Sequence, residues 1–383
     1  MKKLRILFVG GGSGGHIFPL IAVANELQQQ AANFNIALDM RYFGSDRGYA
    51  NELVKNNIAY VPIMTSKWRR YLSFLNVVDL IKFPFAVIQV LWKIFWFMPD
   101  VIFSKGGPGA LPVILVSRFF LIPVVIHESD TVPGLTNRIS GRYAAKIFLA
   151  FASTEEYFHK KNNIEVVGNP VREAIIAQII ASQSSEGKQQ ARREFGFNPD
   201  EPVVLVLGGS QGAERLNNFV LENLEILIRS AQIIHQVGER NFATYKTEYE
   251  FMAKDWSEIE KNRYQYRAFF ADDLAGAITA ADIVISRAGA GSIFELAAFG
   301  KPALLIPLLE AANDHQRQNA YLYAQTGAAL VIQEENLLGN LMVTEIETLI
   351  KNPALLQQMS DAAKSFYRPD AASIIAKYLL TYI

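Results

Sequence analysis

Apolar residues in this chain fall into short unbroken blocks separated by stretches in which they recur every three or four positions. In the first half the blocks are Leu4–Val9, Ile36–Phe43, Val101–Phe103 and Val124–His127, with shorter ones at Lys146–Leu149 and Ile164–Val167. In the second half they are Val203–Leu207, Ile233–Val237, Tyr264–Ala268, Ile283–Ser286 and Ala303–Pro307. A continuous β-prone run predicts a strand covered on both faces, as in a parallel sheet. The stretches between carry helical spacing, for example HIFPLIAVANELQQQ after the first block. Strands alternating with helices predict an α/β chain. The tail Ala371–Ile383 is apolar on one face and predicts a helix packing back across a domain boundary.

The pattern restarts after Gly168-Asn169-Pro170, a strong local breaker. We therefore expect one domain over residues 1–166, a second over 167–367, and a terminal helix over 368–383 returning to the first. A length of 383 residues fits two domains. Hydrophobic residues make up 50% and charged residues 19%, which excludes a disordered chain. Lys+Arg and Asp+Glu are equal at 37 each, so no basic excess points to nucleic acid. Absence of Cys excludes disulfides, zinc–thiolate sites and a Cys nucleophile, and permits a cytosolic address. The apolar run in MKKLRILFVGG is too short for a signal segment and reads as a first strand.

Three strands run directly into glycine-rich turns: LRILFVGGGSGGH to His16, PVVLVLGGSQGAER to Arg215, and ADIVISRAGAGSIFE to Glu295. Such turns bring backbone N–H groups and a helix N-terminus close to an anion. Gly10-x-Gly12-x-x-Gly15 formally matches the dinucleotide fingerprint, but no acid closes the second strand to hold a ribose. A nicotinamide cofactor is therefore disfavoured; the alternative is glycines that merely allow close packing. His16, just past the glycines, suits phosphate orientation or proton transfer. Glu128 and Asp130 close the strand VVIHESD, where open α/β sheets place their sites. They read as a general-base cluster, or else as caps of the next turn. No further Asp-x-Asp follows a strand, so we expect neither a metal nor a cofactor.

In the second half, the Gly208–Gly212 turn with the Ser210 hydroxyl reads as a phosphate cradle, and Arg172 as a fixed positive charge. Arg287–Glu295 is the most specific local element: its glycines admit a ligand to the backbone, and Glu295 can accept ribose hydroxyls. Asn313-Asp314-His315-Gln316 is dense in groups that bond sugar hydroxyls, or that cap a helix.

The region Trp68–Met98 differs in kind. It holds three of the four Trp residues, and Lys67, Arg69, Arg70, Lys82 and Lys93 stand against the single acid Asp79. Its apolar run Phe83–Met98 is short for a membrane span. Mixed basic and aromatic residues on an apolar helix fit an interfacial membrane contact; the alternative is an ordinary core helix.

GGGSGGHIFPLIAVANEL, KGGPGALP, HESDTVPGLTNR, GNPVR, GGSQGAERLN, SRAGAGSIFE and DHQRQNA occur in this order across nearly the whole chain. Together they closely resemble the MurG family of peptidoglycan-synthesising N-acetylglucosaminyltransferases. The resemblance implies a GT-B fold, with two Rossmann-like doubly wound domains and a cleft between them. It implies inverting, metal-independent transfer of N-acetylglucosamine from UDP-N-acetylglucosamine to lipid I, the undecaprenyl-diphospho-muramoylpentapeptide, by a peripheral enzyme of the cytoplasmic membrane face. It assigns Ser13, Gly14 and Gly15 to the diphosphate and acceptor side, and Arg172, Ser210 and Gln211 to the donor. It further assigns the backbone at Ala271 to uracil, Ala290, Gly291 and Ser292 to uridine, Glu295 to the ribose, and Gln316 to the sugar hydroxyls. Asp130 and Asn137 complete the expected substrate contacts, with His16 or Glu128 as base. Many members read HEQN where this chain reads HESD, so Asp130 accepts hydrogen bonds where an amide would also donate. The rival readings are another GT-B glycolipid transferase and a non-catalytic sugar-nucleotide-binding scaffold.

Overall fold

The structure is a computed structural model. It describes residues 2–45, 48–65, 74–159, 161–172, 175–176, 179, 184–209, 212–270, 273–311, 314–337 and 339–383, with backbone alone at 74–76, 339 and 340. Two compact units emerge: Met1–Glu173 with Arg368–Ile383, and Ala174–Tyr367. The division falls a little beyond the 166/167 joint expected from the sequence.

The first unit is built on seven parallel strands in the order β3-β2-β1-β4-β5-β6-β7. The strands are β1 Lys2–Val9, β2 Ile36–Gly44, β3 Ala59–Pro62, β4 Val101–Ser104, β5 Val124–Glu128, β6 Lys146–Leu149 and β7 Ile164–Val166. The helices are α1 Gly14–Asn33, α2 Ala50–Lys55, α3 Phe74–Phe97, α4 Ala110–Phe119 and α5 Leu135–Ser140. β3 has no counterpart among the sequence blocks: it is a four-residue edge strand ending in Pro62, too short for a periodic signal.

Central strands β1, β4 and β5 are buried on both faces, which is why their sequences read as unbroken apolar runs. Phe8 pairs with Phe103 and Val9 with Ser104 across β1 and β4, and the Lys105 N–H donates to Val9 O at 2.9 Å. The chain order reverses between these two strands, so their turns leave the sheet side by side. On one sheet face, α1 buries Leu20, Val23, Ala24 and Leu27 together with Ile375, Ala376 and Leu379 of the terminal helix Ala371–Leu379. Gln30 of α1 donates to Ser373 Oγ at 2.9 Å, fixing that helix to the first unit.

The second unit repeats the plan with six parallel strands in the order β10-β9-β8-β11-β12-β13. These are β8 Val203–Leu207, β9 Gln232–Gln236, β10 Tyr264–Arg267, β11 Ile283–Ser286, β12 Ala303–Leu305 and β13 Ala329–Val331. β13, again a short edge strand, also went unread in the sequence. Here the order reverses between β8 and β11, where the Gly208 and Arg287 turns emerge.

Candidate active site

In the first unit, the turn after β1 spans Gly10–Ser13. Ser13 is the N-cap of α1 in extended conformation; its side chain caps nothing, and the first helical turn carries no acid. The backbone N–H groups and dipole of a 20-residue helix therefore meet open surface. Ser13 and Gly15 are exposed, and Gly14 is half-buried. Beside them lies a pocket of about 180 Å³, lined by the Gly10–Ser13 turn, His16, Ser45, Thr65 and the Pro108-Gly109 corner.

Two glycines let the β1 and β4 turns touch. Gly107 has φ +91°, and a Cβ there would lie 2.7 Å from Gly11 N. Gly106 has φ +76°, and a Cβ would lie 2.6 Å from Asn137 Oδ1. Tyr42 donates from β2 to Gly10 O at 3.0 Å, holding the turn from below. The Gly11 N–H donates to His16 Nδ1 at 2.7 Å. With Nδ1 accepting, a neutral His16 carries its proton on Nε2 and presents a donor there.

At the ends of β4 and β5 sits a buried polar cluster. Lys105 lies 2.5 Å from His127 Nδ1 and also bonds Ser129 Oγ. His127 donates through Nε2 to Gly168 O at 2.9 Å, and Ser129 donates to Asn169 Oδ1 at 2.8 Å. Glu128 accepts from Asp130 N at 3.1 Å, Gly134 N at 3.2 Å and Asn137 Nδ2 at 2.9 Å. Its carboxylate thus shapes the following turn, the capping role left open by the sequence. Burial first, and the charge of Asp130 second, push Glu128 up to about 7. Burial pulls Lys105 down to about 7 against the attraction of Glu128 and Asp130. Burial and the Lys105 charge hold His127 well below the ordinary histidine value, so the ring is neutral. Asp130 is half-buried and Asn137 is buried.

The expected residues Ser13–Gly15, His16, Glu128, Asp130 and Asn137 are thus gathered at one end of one sheet. Arg172 also belongs to this unit; its guanidinium stacks 4.4 Å over the Phe18 ring of α1. Lys105 carried no assigned role in the sequence reading. Its signal was present: a cation placed directly after the buried run VIFS and before two glycines.

In the second unit, the helix Ala290–Ala298 begins at Gly289, with no capping side chain and no acid in its first turn. No described atom lies within 4 Å of a Cβ built at Gly289 or Gly291. Ala290 is buried at the helix start, and Gly291, Ser292 and Glu295 are half-buried. Gln316, in the helix His315–Ala324, accepts from Leu308 N at 3.1 Å, which leaves its NH₂ end as the donor. Asn319 of the same helix donates to Ala288 O at 3.3 Å, joining it to the glycine turn. Ser210, Gln211, Ala271 and Asn313 lie outside the described residues.

Arg287, expected within the ligand motif, instead pairs with Glu334. The other oxygen of Glu334 accepts from Arg215 at 3.0 Å. With its side chain 1% exposed, Glu334 ties both glycine-turn arginines to one buried carboxylate. Nothing in the polar run Gln333–Asn336 marks it in the sequence.

α3 resolves the tryptophan-rich region. Ala86, Val90, Ile94 and Phe97 form its buried stripe, yet Leu80, Ile81, Phe85, Ile88, Trp92, Phe95 and Trp96 are all exposed. Trp68 and the basic residues 67–70 lie outside the described residues. Among the described residues, no helix is long and apolar enough to cross a membrane, and no group of three or more His, Asp or Glu could hold a metal ion.

Comparison with known proteins agrees with this geometry. Residues 6–149 match the glycosyltransferase family 28 N-terminal domain, and residues 203–375 its C-terminal domain. A UDP-N-acetylglucosamine–N-acetylmuramyl-(pentapeptide) pyrophosphoryl-undecaprenol N-acetylglucosamine transferase of Clostridium botulinum (strain Alaska E43 / Type E3) is 34% identical, over 92% of this chain and 91% of that protein. A transferase of the same name, number 3, from Bacillus thuringiensis (strain Al Hakam) is 35% identical over 92% of each chain. The crystal structure of Acinetobacter baumannii MurG superposes with a TM-score of 0.71, at 27% identity and 99% coverage of both chains. The chain belongs to glycosyltransferase family 28, among the transferases that carry N-acetylglucosamine to a muramyl-pentapeptide pyrophosphoryl-undecaprenol.

Proposed function

We propose that this chain transfers N-acetylglucosamine from UDP-N-acetylglucosamine to the 4-hydroxyl of a lipid-linked muramoyl-pentapeptide, with inversion and without a metal. One observation carries the reading: each unit opens a helix N-terminus free of acid at its switch point, at α1 and at Ala290–Ala298. Both reactants named for the relatives are diphosphates, and each terminus suits one of them. The acceptor diphosphate is assigned to α1 with Ser13, Gly14 and Gly15. The donor is assigned to the second unit, with Glu295 on ribose hydroxyls, Ala290–Ser292 on the nucleotide and the Gln316 NH₂ on the sugar. Ser210, Gln211 and Ala271 join them by family resemblance alone. Arg172 adds a fixed cation for a diphosphate.

The reaction is a single displacement. The acceptor oxygen attacks the anomeric carbon, the bond to the β-phosphate breaks, and its electron pair leaves with UDP. Main-chain N–H groups at a helix start stabilise the charge that develops on UDP; each such contact contributes about 1 kcal/mol. Glu128 spends both oxygens on the turn around it. The half-buried Asp130 beside it is assigned to meet the hydroxyl proton, with His16 as a polar contact of the acceptor.

The exposed apolar row of α3 is assigned to the bilayer surface that presents the acceptor. Trp92, Phe95 and Trp96 form an aromatic cluster with ring centroids 5.6–6.5 Å apart, suited to the headgroup boundary. Lys82 and Lys93 sit on the same helix and suit an anionic leaflet.

The test is radiolabel transfer from UDP-N-acetylglucosamine to a lipid I analogue in EDTA, with diacylglycerol as a parallel acceptor. Transfer to the analogue alone is expected. Transfer to diacylglycerol favours another glycolipid transferase, and nucleotide binding without transfer favours a scaffold. For the membrane assignment, a Trp92→Asp/Trp96→Asp variant should sediment poorly with anionic vesicles; full sedimentation refutes it.

A further inference from the structure

Glu334 is a buried acid to which the chemistry above gives no task. Its side chain is 1% exposed, and each of its oxygens meets an arginine. One accepts from Arg215 at 3.0 Å, and the other from Arg287. Arg215 stands in the first turn of the helix Glu214–Ser230, which follows the Gly208 turn. Arg287 directly follows β11, and its other terminal nitrogen donates to Ile306 O at 3.3 Å, one residue past β12. Glu334 itself lies three residues past β13. One carboxylate therefore joins the segments that leave β8, β11, β12 and β13.

The sheet sets the spacing of these segments only up to the strand ends. β8 and β11 pair as far as Leu207 and Ser286, and both glycine turns lie beyond that pair. Arg215 and Arg287 carry the two turns to a shared partner. Stability alone is a poor reason for that partner to be an acid. Desolvation offsets much of a buried ion pair, and apolar side chains of like volume serve as well or better. What the carboxylate adds is direction, because charge-assisted hydrogen bonds from two rigid guanidinium forks fix where each fork sits.

Resting on the reading that these turns hold the donor nucleotide, we infer that Glu334 is a positioning residue for it. It sets the spacing between the Gly208 turn and the start of the helix Ala290–Ala298, so that one UDP engages both. A ligand that spans both turns depends on that spacing. Uridine, held by the Ala290–Glu295 stretch, touches one turn and does not depend on it. With Glu334 in place the turns are preorganised for UDP; without it, part of the binding energy goes into drawing them together.

The experiment measures Kd for UDP and for uridine by NMR titration, and KM and kcat with UDP-N-acetylglucosamine. The proteins are wild type, Glu334→Gln, Arg215→Met and the double variant, each kept below its melting transition. In Glu334→Gln, Kd for UDP and KM for the donor should rise about tenfold, with kcat within about threefold. Kd for uridine should stay within about twofold. Arg215→Met should weaken UDP about threefold and should add nothing to Glu334→Gln, because both break one link. A folded Glu334→Gln that binds UDP as wild type does has lost stability only, and overturns the inference. So does an equal loss for uridine. Losses that multiply in the double variant would put Arg215 on the ligand itself and overturn it too. Wild type that binds neither ligand breaks the functional reading instead. Amide hydrogen exchange at Gly209, Gly212 and Gly289 then decides, and unchanged protection in Glu334→Gln overturns the positioning role. If Glu334→Gln does not melt cooperatively, Arg215→Met carries the test, since Arg215 is 56% exposed. Undiminished UDP affinity in that variant overturns the inference.

Discussion

The two units share one strand order and place glycine turns at the same topological point, yet they fill that point with opposite chemistry. In the first unit, the switch point gathers two groups that burial moves to about 7, Lys105 and Glu128, with Asp130 adjacent in the chain. Its glycines at 106 and 107 are there because another part of the protein touches them. In the second unit, the switch point is braced by permanent charge, Arg215 and Arg287 on Glu334. Its glycines at 289 and 291 border open space. The difference teaches that a Rossmann-like frame specifies where a site sits and not what it does. Under the proposed function, one copy moves a proton and the other holds an anion without exchanging one.

The largest expected effect strikes the permanent charges. Glu334→Gln leaves the buried Arg287 facing a neutral amide, while the exposed Arg215 keeps Glu310 as a partner; it should lower unfolding free energy by about 3 kcal/mol. Urea denaturation at neutral pH measures it, and a loss below about 1 kcal/mol would mean the arginines are solvated and the contrast is false.

Next comes the proton-transferring side. Asp130→Asn should lower kcat at least about 100-fold while KM for UDP-N-acetylglucosamine stays within about threefold. His16→Ala should cost only about tenfold, as the loss of one donor. A His16→Ala loss as large as that of Asp130→Asn would return the base to the imidazole.

The third effect probes a group that looks catalytic but is structural. His235 is fully buried, donating to Asn217 Oδ1 at 3.1 Å and accepting from the Tyr264 hydroxyl at 2.9 Å. Burial depresses it to about 3. Its unfolded value is about 6.5, so the unfolded chain binds the extra proton between those limits. Stability is therefore unaffected above pH 6.5 and falls as pH drops through the window. Its share at pH 4.5 is about 2–3 kcal/mol. His235→Phe should show a shallower fall in stability between pH 6.5 and 4.5; equal slopes would exclude His235 as the source.

The smallest effects sharpen the contrast between the glycines. Gly107→Ala forces an L-residue to a left-handed angle against Gly11 and should cost about 1–2 kcal/mol or more. Gly291→Ala enters open space in a helix and should change stability by less than about 1 kcal/mol, in the stabilising direction, while raising KM for the nucleotide. Equal stability losses in thermal melts would show that both glycines serve packing.

Much of this was legible along the chain. Buried parallel strands announce themselves because both faces are apolar, so nine of the eleven blocks match their strands to within about a residue. Glycine turns and the HESD stretch located the sheet edge that matters. The edge strands β3 and β13 were silent, because three or four half-exposed residues carry no period. Helix α3 was ambiguous: its apolar run fits a core helix as well as a surface one. Only its placement separates the buried stripe Ala86–Phe97 from the outward tryptophans.

By itself, then, the sequence determined the two-fold α/β plan, the glycine turns and the family. Those depend on local periodicity and on backbone conformations that glycine permits. Tertiary structure decided protonation and charge. Which nitrogen of His16 carries its proton, why Glu128 is bound to its own turn, how Lys105 comes to be buried beside two acids, and where Arg287 spends its charge all depend on residues distant in the chain. Electrostatic energy follows separation and burial in space, and neither is written in the order of residues.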